Sequence, residues 1–352
     1  MADRAAIVLA GGKAERFQES KKHWFDKLLV KLSEKPLLVH VVENIQGVVN
    51  EIVVCVNDER RKQRYRNVLL KYGIDNVKLV VDVKVDNLGG PLVAILTGLK
   101  NTKPATCFTI PADMPMMRPE VVDYMFSSAN DTQVVVPMWP NSRLETLVMV
   151  LKKPEALEIA ETLCQLGRPR SDDVIRGSSR VLFVSIVSEI MKRDPELRSF
   201  VNINSREDLI NLEPRSVQAP FVGDRSLNLG SFALPKMKLL QEASEKCREN
   251  NLLEASEIFS KSATYLEDQN SYFWAAVSRE NQGKSLLRVA KAPKNYNNLS
   301  DIATSARMAL LKAAFTYGLE AEMYEKWNHN FLAERAKSDK RWCESRVKQI
   351  DA

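Results

Sequence analysis

Residues able to do chemistry gather at a few points along the chain. An apolar run ends at Leu9 and Ala10, a glycine pair follows at Gly11 and Gly12, and Arg16 comes shortly after. Glycines behind a buried strand let the backbone approach a ligand and turn amide hydrogens toward it. A helix opening behind such a loop adds the positive end of its dipole, the usual seat of a phosphate. Arg16 supplies a forked cation matched to phosphate oxygens. Asp26 and Lys27 then place an acid beside a cation ahead of Lys35, Pro36 and Leu37, and a second glycine pair, Gly89 and Gly90, precedes Pro91 at the start of a helical pattern. Finally, Asp113 closes an apolar run between Pro111 and Pro115. A carboxylate at the carboxyl end of a parallel strand is where α/β folds place catalytic groups and metals. Plainer readings stand beside these: Asp113 can cap the following turn, and Lys27 can be a solvated surface lysine.

Positioning such groups requires a sheet, and the first part of the chain reads as one. Ala5–Ala10, Glu51–Val56, Val77–Val81, Cys107–Ile110 and Gln133–Pro137 are short apolar runs of buried-strand type. Between them Leu37–Ile45, Arg60–Tyr72, Leu92–Leu99 and Pro119–Ser127 have helical spacing. Apolar strands alternating with helices predict an α/β fold, a doubly wound and mostly parallel sheet covered on both faces. Residues 1–213 form this domain and 214–233, rich in Pro, Gly and Ser, read as a linker. Residues 234–352 read as a separate all-α helical domain of five helices: Lys236–Asn250, Leu252–Glu267, Ser271–Lys291, Leu299–Leu319 and Ala321–Gln349. Weak self-similarity within it hints at tetratricopeptide-like hairpins, and Gly318 is a candidate weak point in the fourth helix. Trp274, Trp327 and Trp342 fit helix packing there.

Composition narrows the function. The chain has 352 residues, enough for two domains with their own cores. Its net charge of +6 comes from 51 basic and 45 acidic residues, and the part from residue 217 onward carries 20 and 17, so no region concentrates charge as a nucleic-acid binder does. Five scattered cysteines, three histidines and no Cys-x-x-Cys pair argue against zinc fingers, iron–sulfur clusters and a disulfide framework. Cys55 and Cys107 read as core residues, and His40 as a packed histidine. No apolar run approaches the roughly 18 residues a bilayer span needs, and the first ten residues do not read as a signal peptide. A cytoplasmic protein with neither membrane nor nucleic acid as partner is the expectation.

Taken in order, Leu9-Ala10-Gly11-Gly12, Arg16, Asp26-Lys27, Lys35-Pro36-Leu37-Leu38-Val39-His40, Gly89-Gly90-Pro91-Leu92 and Pro111-Ala112-Asp113-Met114-Pro115 resemble the nucleotidyltransferases that make the guanine dinucleotide form of the molybdenum cofactor, the MobA type. Asn202-Ile203-Asn204-Ser205-Arg206-Glu207-Asp208-Leu209 resembles that family's closing motif, and Glu145-Thr146-Leu147 its central Glu-Pro-Leu, with Thr146 in place of proline. The resemblance covers residues 4–213. It implies a nucleotide-diphospho-sugar-transferase-like, Rossmann-type fold and transfer of GMP from GTP to the phosphate of molybdopterin, with pyrophosphate leaving. It further implies that Leu9, Ala10, Gly11, Gly12 and Asp82 meet the nucleotide, that Arg16 and Lys27 meet the triphosphate, that Asp113 holds Mg²⁺, and that Asn202 and Asn204 line the acceptor end. The asparagines also read as turn residues, with Ser205 as an N-cap. The alternatives are a cytidylyltransferase, the guanylyltransferase of cobamide synthesis, and a non-catalytic nucleotide-binding regulator whose helical domain takes a protein partner or self-associates. One departure bears on these: residues 17–25 lengthen the gap between Arg16 and Asp26, and Gln18 stands where the family has glycine. The longer loop is either a lid bringing Lys21, Lys22 and His23 to the phosphates or a degraded phosphate site.

Overall fold

A computed structural model describes residues 3–12, 26–86, 88–210, 212, 223–228, 235–291 and 299–351. Arg16 and the lengthened segment 17–25 lie outside the described residues. The chain divides into two compact units, one of Met1–Pro140 with Leu144–Asn228 and one of Leu229–Ala352 with Asn141–Arg143.

The first unit is built on an eight-stranded sheet. Its strands in chain order are β1 (Arg4–Leu9), β2 (Glu51–Val56), β3 (Val77–Val81), β4 (Thr106–Pro111), β5 (Val134–Met138), β6 (Met149–Lys152), β7 (Arg180–Ser185) and β8 (Arg225–Asn228). Across the sheet they run β8-β7-β5-β6-β4-β1-β2-β3. β1 pairs in parallel with both β2 and β4, β2 with β3, and β5 with β7. Ala5–Val8 are wholly buried because β1 has a parallel neighbour on each side and helices over both faces. The helices are α1 (Leu37–Gln46), α2 (Glu59–Lys71), α3 (Pro91–Asn101), α4 (Pro119–Ser127) and α5 (Lys153–Gln165). Helix α3 lies tight on β1 at Gly98, where a Cβ would come within 2.2 Å of Ile7 Cγ2. The chain steps outward from β1 to β2 and β3, then returns to the other side of β1 for β4. That reversal opens a crevice beyond the carboxyl ends of β1 and β4.

Three strands depart from the sequence expectation, which names neither β6 nor β7 and reads the region of β8 as linker. β6 was not anticipated, and it runs antiparallel between β4 and β5. β8 falls inside the stretch 214–233 expected as linker. Leu227 is buried there while its flanking residues are more exposed, and the strand pairs antiparallel with β7 along an otherwise open edge.

The second unit has five helices among its described residues: α6 (Pro235–Arg248), α7 (Leu252–Asp268), α8 (Tyr272–Lys291), α9 (Leu299–Lys326) and α10 (Asn330–Asp351). Asn250, Asn270 and Asn328 stop three of them in the left-handed region, with φ of 63°, 53° and 56°. Each stop closes with the paired bonds of a Schellman turn, as in His329 N–H to the Tyr324 carbonyl at 2.8 Å and Asn328 N–H to that of Glu325 at 2.9 Å. Helix α9 therefore runs through Gly318 to Lys326 and is stopped by the turn at Asn328, beyond the expected break near residue 320. A single interior glycine costs a helix only about 1 kcal/mol. Trp274 is buried as expected, but Trp327 and Trp342 are 41% and 37% exposed. The Trp342 ring is covered by the cations of Lys284 and Arg346 instead of by a core.

Candidate active site

The crevice beyond β1 and β4 opens into a cavity of about 690 Å³. Leu9, Gly11 and Gly12 border it from the end of β1, Asp113 from the end of β4, Asp82 from the end of β3, and Gly89 and Gly90 from the start of α3. Ala10 is buried behind them, its N–H given to the Cys55 carbonyl at 2.8 Å. Gly11 has a steric reason to be glycine: a Cβ there would meet the Asp82 carboxylate at 3.2 Å. Gly90 caps α3 at φ 109°, a conformation that side chains rarely adopt, and no side chain caps that helix end. The uncapped amides of α3 thus begin at the cavity wall, where an anion is favoured.

Lys27 lies in a short 3₁₀ turn, Lys27–Leu29, and is only 8% exposed. Its ammonium donates to Asp113 Oδ2 at 2.7 Å and to Asn204 Oδ1 at 3.2 Å. Three sequence motifs therefore converge on one nitrogen. Asp113 does not cap the following turn. Its Oδ1 is buried and has no hydrogen-bond partner among the described residues, so a carboxylate oxygen is left for a further cation. The backbone beneath is fixed as well, since Ile203 N–H donates to the Asp113 carbonyl at 2.9 Å. Asn204 begins a capping box: Ser205 Oγ accepts the Asp208 N–H, while Asp208 Oδ2 accepts the N–H groups of Asn204 and Ser205 at 2.7 and 2.8 Å. Burial alone would raise the Asp208 carboxyl, but those amides hold it below its usual range. Asn204 is thus a turn residue whose side chain also meets the Lys27 ammonium. Asn202 is half-buried two positions earlier and makes no side-chain hydrogen bond among the described residues.

Asp82 differs from Asp113. Burial pushes its carboxyl up to about 6, against a smaller opposing effect of Thr97. In the window between the ordinary carboxylate value and about 6, the folded chain holds a proton that the unfolded chain has lost. The stability this group contributes is therefore present at low pH and disappears as pH rises through about 6. Asp82→Asn is expected to unfold at a higher temperature than wild type at pH 7.5, with the gap closing toward pH 4. Melting curves across that range check it, and a gap constant with pH would mean the carboxyl is not buried in its charged form.

Some residues around the site were not flagged by the sequence. Asp26, beside Lys27 in the sequence, turns its carboxylate inward, accepting from Tyr65 Oη at 2.9 Å and from Leu28 N–H at 3.3 Å. Arg61 of α2 donates to the Gly12 carbonyl at 2.9 Å. Near Gly90, whose added Cβ would lie 3.8 Å from the Pro169 carbonyl, fully buried Asp173 gathers Arg168, Arg176 and Arg170 at 2.8, 3.0 and 3.4 Å. Burial opposes its ionisation, and the three guanidinium groups overcome that and hold its carboxyl below the usual range. The Arg168–Asp173 spacing in the sequence was the available signal, but charge runs of this kind mostly mark solvated faces.

The doubly wound sheet, the glycine turn and the lysine–aspartate pair at the topological switch point define a nucleotidyltransferase. The MobA-like NTP transferase domain matches residues 6–181, and the chain belongs to that family. Among its relatives is a protein of Methanosarcina mazei named probable molybdenum cofactor guanylyltransferase, 35% identical over 209 residues, which are 59% of this chain and 89% of that one. A molybdenum cofactor guanylyltransferase of Shewanella halifaxensis is 28% identical over 167 residues, 47% of this chain and 76% of that one. Among solved structures, molybdopterin-guanine dinucleotide biosynthesis protein A of Archaeoglobus fulgidus is similar with a TM-score of 0.48 and 22% identity, covering 60% of this chain and 96% of that one. No described helix is long and apolar enough to cross a membrane.

Proposed function

We propose that this chain transfers GMP from GTP to the terminal phosphate of molybdopterin, with release of pyrophosphate. The observation that carries the reading is the Lys27–Asp113 pair on the cavity wall, with Asn204 held by the same ammonium. Curated relatives named for the same reaction support it. An oxygen of the acceptor phosphate attacks the α-phosphorus of GTP, and the bond from that phosphorus to the bridging oxygen breaks. Lys27 neutralises negative charge as it builds on the phosphates. Gly11, Gly12 and the first amides of α3 let the nucleotide lie close to the backbone, with Asp82 offered to donors on the nucleoside. Asn202 and Asn204 present amides to the pterin, and Arg16 joins Lys27 at the triphosphate.

Among the described residues no group of three or more His, Cys, Asp or Glu side chains is arranged to hold a metal. Mg²⁺ fits nonetheless, because it commonly takes one or two carboxylates and completes its shell with phosphate and water, and Asp113 Oδ1 is an unpartnered buried acceptor. Bound there, the ion would offset phosphate charge and help orient the triphosphate. For the second unit we propose a protein contact. Its support is a groove of about 520 Å³ in which Lys284, Arg288, Lys291 and Arg346 surround Trp342 and Ile350. The free state of all five cysteines fits a cytoplasmic setting.

Thermal unfolding with Mg²⁺ and GTP, CTP, ATP or UTP in turn tests the reading. Ligand at a hundred times its dissociation constant adds about 2.7 kcal/mol to the folded state, several degrees for a unit of this size. The expected result is a Mg²⁺-dependent shift with GTP alone. A shift with CTP alone would replace the base and keep the mechanism, and no shift with any nucleotide would overturn the proposal.

A further inference from the structure

Resting on that reading, we infer that Arg61 is a positioning residue: its guanidinium ties together the two chain segments that flank residues 13–25 and so sets the glycine turn and Lys27 at a fixed spacing. Arg61 Nη1 donates to the Gly12 carbonyl at 2.9 Å, on the β1 side. Its Nε lies 3.9 Å from Asp26 Oδ2, on the Lys27 side. Both side chains are nearly enclosed, at 7% and 3% exposure, so the pair is poorly screened by solvent. A guanidinium carries its donors in a fixed planar fork, so it holds two partners at a set spacing more firmly than a single ammonium does.

The neighbours hold this arrangement from all sides. Asp58 caps α2 and takes the Arg61 N–H at 2.7 Å, which fixes where the side chain leaves the helix. Tyr65, one helical turn on and wholly buried, donates its hydroxyl to Asp26 Oδ1. Burial first, and then the adjacent Asp26 charge, keep that phenol protonated far above its usual range, so it remains a donor. The same Asp26 oxygen accepts from Leu28 N–H and thereby shapes the turn carrying Lys27. Asp26 is thus a hub rather than a ligand group: it faces α2 with its carboxylate while its neighbour Lys27 faces Asp113. None of these groups needs to touch substrate. They act by fixing two phosphate-binding elements before a ligand arrives, which removes ordering that binding would otherwise have to supply.

The test uses the full chain with Arg61→Met and Arg61→Lys, read by amide hydrogen exchange without ligand and by steady-state kinetics with Mg²⁺ and GTP. Exchange in Arg61→Met is expected to quicken at residues 10–12 and 28–30 while α3 and α4 keep their wild-type rates. Turnover per unit of GTP, kcat/KM, should fall on the order of 10- to 100-fold, the scale of a small misplacement of catalytic groups. Arg61→Lys keeps the charge but not the bridge, and should recover the wild-type melting temperature more fully than it recovers kcat/KM. Unchanged exchange at both flanks in Arg61→Met would overturn the inference, as would full kcat/KM in Arg61→Lys. A wild-type chain that binds no nucleotide would instead overturn the proposed reaction, and the exchange data would still decide the clamp.

Discussion

Asp113→Asn is expected to lower nucleotidyl transfer by on the order of 10³-fold, the scale at which removing a charge-stabilising group acts on phosphoryl chemistry. The substitution is nearly isosteric, and the amide oxygen can still accept from Lys27, so the fold should survive. What disappears is the negative charge on a carboxylate whose Oδ1 is buried and unpartnered among the described residues. The loss should therefore appear as a collapse of the Mg²⁺ dependence of GTP binding, with the thermal transition nearly unmoved in the absence of ligand. Pyrophosphate release measured across a Mg²⁺ titration reads both effects. Near wild-type turnover in this variant would remove Asp113 from the reaction.

Lys27→Met should reduce turnover by roughly 10²- to 10³-fold, the range for loss of one preorganised donor to a developing anion. Unlike Asp113→Asn, it should also lower stability, because it strands acceptors. Asp113 Oδ2 and Asn204 Oδ1 both depend on this ammonium, and leaving a buried acceptor unmet costs about 1–3 kcal/mol. Because the two residues touch, the double variant should lose much less than the product of the single losses. Melting temperature and kcat measured together separate the roles. A lower melting temperature with unchanged kcat would make Lys27 a structural lysine only.

Much of this site was legible in the sequence because its parts sit at punctuation marks. Gly11 and Gly12 come shortly after β1, Asp113 lies two residues beyond β4, and Gly90 precedes Pro91, so local rules locate them without knowledge of the tertiary fold. The alternation of apolar runs and helical spacing likewise marked β1 to β5. Harder to read was anything decided by neighbours distant in sequence. The antiparallel course of β6 depends on which strands flank it, and four apolar or amphipathic residues carry no direction. Leu227 is a single apolar residue among polar ones, too little to distinguish a strand from a linker until β7 offers an edge. The inward turn of Asp26 was hidden for the same reason, since its partners Tyr65 and Arg61 lie on α2. In the helical unit, glycine was credited with the break that asparagine makes: Gly318 loosens a helix, whereas Asn328 takes the left-handed turn that ends one.

The place of β8 in the sheet has a consequence for how the chain can be divided. A shortened protein stopping near residue 213 would keep the sequence that most resembles its relatives and every residue assigned to the site. It would also strip the last strand from β7 and expose a row of unpaired amides and carbonyls along Arg180–Ser185. Bare edges of that kind recruit strands from other molecules. The outermost strand is therefore a guard against self-association as much as a part of the scaffold, and the natural cut for an isolated catalytic unit falls after Asn228.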